Sequence, residues 1–438
     1  MKKHTKVSLG VVLLLLLGLL VGVGIWVRAS TTDPYPKSPE AWNVWLEDRL
    51  EASGRTRGEN WDVWLDTHSV LGRWSDRLAD GGAALDASEE ALLAETLDEL
   101  AGIDLVTPLY EIYPSYDQFE LLLDDTGDTR EVWLELIKPR LADAMVGERL
   151  GEAAAWVRRA EGLRNPLKGS GTIIGFLLEV SIITDALQSV RDGLIESPVR
   201  DEAGLSELQR AVGEIASGDP DWVFGIEAAL GLPFVAEIAR SSWPQQSRAQ
   251  IGDFERFMAD AAAAADDPDA SARVEALATR LDEGGVFAVR RAALDMLMPA
   301  IGRLWIQFAA LDMERDGTVL LIALQRHRVE HGAYPDTLDA LVPAYIDELP
   351  ADGFAPDGRF VYRVLDAAAE TPAGGFLLYS VGADGVDHGG ATNPRNRIGS
   401  TNDSVDYSFT HVTPPEQTEA DDDDSDADQT DTPVGGGP

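Results

Sequence analysis

An uncharged apolar segment near the start of the chain restricts its topology more than any other feature. Three lysines lie within residues 1–6, and residues 7–27 then run for 21 positions without a charge. At about 1.5 Å of rise per residue, a helix of that length crosses the hydrocarbon core of a bilayer, which is about 30 Å thick. Trp26 lies at the far end, where an amphipathic ring favours the membrane interface. The segment predicts a transmembrane helix that anchors the chain over residues 1–29.

The lysine-rich start also predicts the orientation of the anchor. Basic flanks stay on the cytoplasmic side, so we expect a single-pass protein of the inner (cytoplasmic) membrane with its bulk periplasmic. A cleaved signal peptide is the alternative, since Val27 and Ala29 are small residues suited to a cleavage site. Both interpretations place the remaining chain outside the cytoplasm. Three prolines in residues 30–41 predict a short, stiff linker.

Composition excludes several classes of function. The chain has 76 acidic and 36 basic residues, which gives a formal net charge of −40. Such a polyanion repels nucleic acid, so we expect no nucleic-acid partner. The chain contains no cysteine, which excludes disulfides, thiolate catalysis and cysteine-based zinc sites.

Residues 42–311 have a dominantly helical period. Leu93, Leu97 and Leu100, for example, recur at the spacing of one helical face. Proline and glycine fall mostly between such runs, and few segments alternate like strands. The pattern predicts an irregular, all-helical body over residues 42–311.

One segment of this body, residues 173–187, is apolar enough to suggest a second membrane span. It carries Glu179 and Asp185, however, and it is short for a span. We therefore expect a helix buried inside the body.

The pattern of apolar residues changes over residues 312–412. Residues 316–331 read as one helix, and three alternating segments follow at residues 359–364, 375–381 and 406–411. One helix followed by a small antiparallel sheet is an α+β unit. The whole chain is therefore expected to be mainly α, with a small C-terminal α+β domain.

The last residues, 413–438, are rich in aspartate and contain no aromatic side chain. A segment of this kind cannot bury enough apolar surface to order itself. It predicts a disordered acidic tail.

Three short motifs occur in order within residues 312–412. They are Gly332-Ala-Tyr334-Pro335 after the helix, Leu338-x-x-Leu341, and Ser380-Val-Gly382-Ala-Asp384-Gly385 after the second strand. Together they resemble the soluble domain of the major pseudopilin of type II secretion, protein G. The whole chain is similar to large membrane proteins of planctomycete-type bacteria that carry such a module. The resemblance implies a pseudopilin-like α+β fold at the C-terminus.

The start of the chain departs from this family. A pseudopilin opens its single long helix with Gly-Phe-Thr-Leu-x-Glu, whereas the apolar segment here begins VSLGVVLL and lacks that glutamate. We therefore expect a reused module rather than a subunit that is processed by the leader peptidase and assembled into a fibre.

In the family, the loop after the second strand binds calcium. The resemblance places Asp384 in this site and offers Asp387, Asn393 and Asp403 as further candidate ligands. Calcium takes about six to eight oxygen ligands, which these side chains could supply in part. Residues 380–403 are also long for an ordered loop with little apolar content, and a bound ion would help to order them. A flexible acidic loop is the alternative.

A second motif suggests an enzyme. His327-x-x-Glu330-His331 fits the inverted signature of a zinc peptidase, with two histidines on one helical face and a glutamate as general base. Gly332 ends the helix directly after His331, however, and no third ligand stands out. A zinc-dependent hydrolase is therefore the alternative to the main expectation. That expectation is a membrane-anchored, extracytoplasmic, non-enzymatic scaffold for interactions, envelope organisation or secretion, with an unidentified protein partner.

Overall fold

A computed structural model describes residues 61–102, 129–170, 173–196, 199–225, 227, 257–261, 304–365, 375–392 and 406–410. Within this part the chain is mostly helical and has one small antiparallel sheet, as predicted. The expected anchor, linker and acidic tail lie outside the described residues. So do two of the candidate calcium ligands, Asn393 and Asp403.

The helices are α1 (Trp61–Ala79), α2 (Ala87–Ala101), a π-helical turn (Trp133–Ile137), α3 (Lys138–Val146), α4 (Leu150–Ser170), α5 (Ile173–Glu196), α6 (Glu202–Gly213), α7 (Leu304–His331) and a 3-10 turn (Leu338–Leu341). The strands are β1 (Val361–Val364), β2 (Phe376–Ser380) and β3 (Tyr407–Ser408).

Helix α2 shows how local sequence sets an element of the body. Asp86 accepts hydrogen bonds from the backbone of Ser88 and Glu89, and the Glu89 carboxylate accepts one in return from Asp86 N, at 3.0 Å. This capping box satisfies N–H groups that a helix start leaves without partners. Leu93, Leu97 and Leu100 then form the buried face, as their spacing predicts.

The π-helical turn lies just before a proline. A proline inside an α-helix lacks the N–H donor, and its ring clashes with the carbonyl one turn earlier. The wider turn over Trp133–Ile137 relieves this conflict ahead of Pro139. Trp133 Nε1 and Lys138 Nζ both donate to Asp185 Oδ2, at 3.3 and 3.0 Å, and so fix the turn on α5.

Helix α5 corresponds to the apolar segment that we expected inside the body. Its residues 173–195 are long and apolar enough to cross a membrane by length and composition. In the structure α5 packs against α3, α4 and α7. Its two buried charged residues, Glu179 and Arg191, both form ion pairs with other helices. These contacts agree with a helix buried in the body.

Helix α7 begins earlier than predicted. The expected helix covered residues 316–331, whereas α7 starts at Leu304 and crosses the expected domain boundary at residue 311. The sequence near residue 312 contains no proline to interrupt a helix, and the backbone continues through it without a break. The predicted end is confirmed: Gly332 has a φ of 78°, and its N–H donates to Arg328 O at 2.8 Å.

The sheet follows the predicted strands. Its order is β1-β2-β3, and both strand pairs are antiparallel. β2 is central and every one of its residues is buried. The described part of the chain has no strand before residue 361, in agreement with a helical body.

The helices and the sheet share one hydrophobic core. A single cluster of buried side chains runs from α2, α4 and α5 through α7 into the sheet. The Phe409 ring lies directly on α7, where a Cβ added to Gly317 would be 2.1 Å from Phe409 Cζ. The α+β unit is therefore packed into the helical body rather than connected to it by a bare linker.

Candidate functional site

The loop that we expected to bind calcium begins directly after β2. Gly382 and Gly385 have φ values of 73° and 67°, which residues with a Cβ rarely adopt. The backbone turns between them, with Gly385 N donating to Gly382 O at 3.0 Å. Gly382 N also donates to Ser380 Oγ at 3.2 Å. The Ser-x-Gly-x-Asp-Gly motif thus forms a tight turn that presents Asp384.

Asp384 lies on the outer side of this turn. Its Oδ1 accepts a hydrogen bond from Val386 N at 3.0 Å, and its Oδ2 lies 3.7 Å from His388 Nε2. The side chain is 27% exposed, so an ion arriving from solvent can reach it.

Asp387 fixes the next part of the loop to the sheet. Its Oδ1 accepts from Tyr379 OH and from Gly389 N, both at 2.7 Å. These donors, Tyr379 first, lower the pKa of the Asp387 carboxyl. Arg363 Nη2 donates to Tyr379 OH at 2.9 Å and to Gly389 O at 3.1 Å. An Arg–Tyr–Asp chain of hydrogen bonds therefore connects β1, β2 and the loop.

Asp406 holds the end of the loop, a role that the sequence did not reveal. Its two oxygens accept from His388 N at 3.1 Å, and Oδ2 also accepts from Gly390 N at 2.6 Å. Asp406 N donates to Ala391 O at 2.8 Å. Asp406 is 2% exposed, and burial raises the pKa of its carboxyl. The only signal in the sequence was that an aspartate is the first residue of the third predicted strand.

The donor set of this loop fits calcium in part. Carboxylate oxygens are the ligands that calcium prefers. Within the described residues, however, no group of three or more His, Asp or Glu side chains is arranged to hold a metal. Asp406 is buried and directs both oxygens at backbone N–H groups, which suits an anchor for the loop better than a metal ligand. The structure places Asp384 and Asp387 in one loop but does not describe the other two candidates.

The His-x-x-Glu-His motif lies at the end of α7. The rings of His327 and His331 stack with their centroids 4.3 Å apart. Glu330 Oε2 accepts from Tyr345 OH at 2.5 Å, and burial, followed by this carboxylate, raises the pKa of Tyr345 to about 12. The part of the chain that the structure describes offers no third acidic or histidine ligand here. The geometry gives the zinc-hydrolase interpretation no support.

A buried polar junction joins the helical body to the sheet. Arg191 of α5 points between α7 and β3, with Nη1 3.5 Å from Glu314 Oε2 and 3.3 Å from Thr318 Oγ1. Its Nη2 donates to Tyr407 OH at 2.9 Å. The guanidinium also lies over the rings of Tyr407 and Phe409, 5.7 and 5.6 Å from their centroids. We call Arg191, Glu314, Thr318 and Tyr407 the buried junction.

Burial makes the charges of the junction strongly dependent on each other. Arg191 and Glu314 are each 4% exposed. Burial raises the pKa of the Glu314 carboxyl, and the neighbouring Arg191 opposes that rise. Burial likewise raises the pKa of the Tyr407 hydroxyl. A buried charge without its partner is costly, so the junction holds α5, α7 and β3 in one arrangement.

Comparisons with models of known protein families, with curated proteins and with solved structures found no match. The resemblance of residues 312–412 to a pseudopilin soluble domain therefore depends on the three motifs alone. In the structure Gly332 ends α7, Leu338–Leu341 forms the 3-10 turn, and Asp384 lies in the loop after β2.

Proposed function

We propose that this chain is a membrane-anchored, extracytoplasmic, non-enzymatic scaffold whose pseudopilin-like module is a fixed part of the helical body. The buried junction is the observation that carries the proposal. It ties the module to the body, because the Arg191 guanidinium of α5 contacts Glu314 of α7 and donates to Tyr407 of β3. A module fixed in this way presents its outer surface in a constant orientation, as a scaffold requires.

The packing of α7 supports reuse of the module rather than fibre assembly. α7 contacts α5 and α6 of the same chain as well as β2 and the 3-10 turn. Arg326 of α7 donates to Glu202 Oε1 and Gln209 Oε1 of α6, at 2.7 and 2.9 Å. Helix faces that are covered within one chain are not available for packing against other subunits.

Calcium is part of the proposal. Asp384 and Asp387 would hold the ion, together with Asn393 and Asp403 from the segment that the resemblance implies. The ion would supply a cross-link between the turn after β2 and the chain that follows residue 392. The protein residues already order residues 381–392 through Asp387 and Asp406. Calcium would add stability to this loop and supply no chemistry.

The absence of cysteine allows a direct test of the topology. Single cysteines introduced at Lys3 and at Glu99, an exposed residue of α2, can be labelled with a membrane-impermeant maleimide. In cells with a permeabilised outer membrane, we expect labelling of Glu99→Cys and protection of Lys3→Cys. Both variants should be labelled after lysis, which is the control. Protection of Glu99→Cys in cells whose outer membrane is permeabilised and whose inner membrane is intact would contradict the extracytoplasmic placement.

The scaffold itself is tested by recovery of partners. The full chain, purified from native membranes after mild crosslinking, should retain the same protein partner in repeated preparations. Arg191→Met, which removes the polar contact of α5 with Glu314 and Tyr407, should weaken retention of that partner while staying in the membrane. Equal recovery of the partner with the wild type and with Arg191→Met would contradict the requirement for a fixed module.

A further inference from the structure

A cavity of about 390 Å³ opens on the surface of the C-terminal module. Its floor, meaning the most buried part of its lining, is apolar: Leu320 of α7 is 0% exposed and Phe360, next to β1, is 6% exposed, with the half-buried Tyr362 beside them. Leu338 of the 3-10 turn and Leu349 line its sides. The cavity therefore has room for one long side chain, whose aliphatic part would lie on hydrocarbon.

The rim of the cavity is strongly acidic. Asp336, Asp339 and Asp357 line it, against a single arginine, Arg359. Within the described residues none of the three aspartates forms an ion pair, although Asp357 Oδ1 accepts from Arg359 N at 3.2 Å. An apolar floor below an acidic rim matches lysine or arginine, which join an aliphatic stem to a cationic head.

The strand beside the cavity has an open edge. Leu365 N donates to Gly375 O at 2.7 Å, and these two residues lie opposite each other. Hydrogen bonding alternates along an antiparallel pair, so Arg363 also bonds to β2, while Tyr362 and Val364 direct their N–H and C=O groups away from it. β1 is the outer strand of the sheet as described, and Val364 is 49% exposed. Such an edge can accept another strand.

We propose that an extended basic segment of a partner protein pairs with the open edge of β1 and inserts a lysine or arginine side chain into the cavity. The charge of the chain favours this occupant over a second copy of itself, since two chains of net charge −40 repel each other. The proposal names the chemical class of partner that the scaffold would bind. It rests on the proposed function only in assuming that the chain has a protein partner.

Peptide binding to the purified full chain tests the proposal. The probe is a fluorescent, blocked peptide of alternating threonine and valine with one central lysine, and anisotropy reports binding. One matched peptide carries glutamate in place of lysine, and another is N-methylated along the edge that would face β1. We expect both matched peptides to bind at least about tenfold more weakly, because one loses the charge attraction and the other loses the strand pairing. Equal binding of all three would overturn the proposal.

Protein variants locate the site. Asp336→Asn combined with Asp339→Asn should weaken binding of the lysine peptide about fivefold, as expected from two partly exposed charge pairs. Asp347→Asn combined with Glu348→Gln removes the same charge from exposed positions of the same module and should change binding little. Equal weakening in the two double variants would show a general charge effect and would refute the site.

Two further measurements separate the edge from the cavity. Val364→Pro removes an outward N–H of β1 and should weaken binding about as much as peptide methylation; if it unfolds the chain, the methylated peptide alone decides the role of the edge. n-Butylamine should compete only weakly, and competition equal to that of the peptide would mean that the cavity binds small amines instead. The maleimide experiment above is independent of these results, so failure of one proposal does not imply failure of the other.

Discussion

Replacing Arg191 with methionine tests whether the buried junction holds the module on the body. Arg191→Met keeps a long apolar stem but removes the guanidinium that meets Glu314, Thr318 and Tyr407. Glu314 is 4% exposed and would be left buried without its cation. Removal of one partner from a buried ion pair costs about 3–5 kcal/mol of stability.

Two features of the junction place the expected loss of stability at the lower end of this range. The Arg191 Nη1 to Glu314 Oε2 distance is 3.5 Å, at the long end for a hydrogen bond. The raised pKa of Glu314 also allows this carboxyl to take a proton once the cation is gone. Both effects reduce the penalty, so we expect a loss of about 3 kcal/mol.

Urea unfolding of the purified full chain, followed by circular dichroism, measures the effect. The control is Arg149→Met, because Arg149 pairs with two carboxylates, Asp143 and Glu152, where Arg191 pairs with one, yet its side chain is 45% exposed. Exposed pairs contribute little, so the control should change stability much less than Arg191→Met does. If Arg191→Met costs no more than Arg149→Met, the junction does not hold the two parts together.

A double variant separates the orphaned charge from the lost contacts. Arg191→Met with Glu314→Leu removes the carboxylate that the single variant leaves unpaired. We expect the double variant to be less destabilised than the sum of the two single variants by about 1–3 kcal/mol. Simple additivity would indicate that the two side chains do not interact in solution.

Three other outcomes follow from the described contacts. Gly317→Ala should lower the stability by about 1–3 kcal/mol because its Cβ would meet the Phe409 ring at 2.1 Å. Gly72→Ala is the control, since nothing lies within 4 Å of its Cβ, and it should be neutral or stabilising. Thermal melting measures both variants. Burial raises the pKa of Glu179 from its ordinary value of 4.5 to about 7, against the opposing effect of Arg164. Between pH values of about 4.5 and about 7 the folded state therefore keeps this proton, whereas the unfolded state releases it. The stability of the wild type should fall relative to that of Glu179→Gln as the pH rises through this range. A constant difference in melting temperature between the two proteins across the range would refute this. Millimolar calcium should raise the melting temperature of the full chain, because an ion at 100 times its dissociation constant stabilises the folded state by about 2.7 kcal/mol. Asp384→Ala should abolish most of the rise. An equal rise in the variant would contradict the calcium site.

Local patterns in the sequence were sufficient for most of the elements. The spacing of Leu93, Leu97 and Leu100 identified the buried face of α2, and Gly332 marked the end of α7. The alternation of residues 359–364 and 375–381 located β1 and β2. These features depend on residues close in sequence, where periodicity and backbone preference are informative.

The buried junction could not be predicted, because its partners are far apart in the chain. Arg191 and Glu314 are 123 positions apart, and Arg191 and Tyr407 are 216 apart. Each is an ordinary residue in its own segment, and only the packing of α5, α7 and β3 brings them together. The early start of α7 was missed for a related reason: its first turns pack on the body, where the Phe308 ring stacks on Phe176 of α5 with the centroids 3.8 Å apart.

The way the body uses its arginines bears on the acidic charges of both the loop after β2 and the cavity. The chain has 36 basic residues for 76 acids, and inside the helical body arginines take carboxylates in two-point contacts. Arg77 meets both oxygens of Glu89 at 2.9 and 2.8 Å, and Arg159 meets both of Asp98 at 2.9 and 3.2 Å. A planar guanidinium suits such contacts better than an ammonium group does. Arginines held in this way between helices are not free for the acids of the module. Within the described residues Asp384 has only His388 nearby and the three aspartates of the cavity rim form no ion pair, so we expect further countercharge for both to come from outside the chain. A divalent cation would suit the first, where the partly exposed Asp384 carboxylate lies at a tight turn, and a basic side chain would suit the second, where an apolar floor lies below the charges. The two are distinguishable because calcium should stabilise the loop without displacing the lysine peptide, whereas monovalent salt should weaken peptide binding.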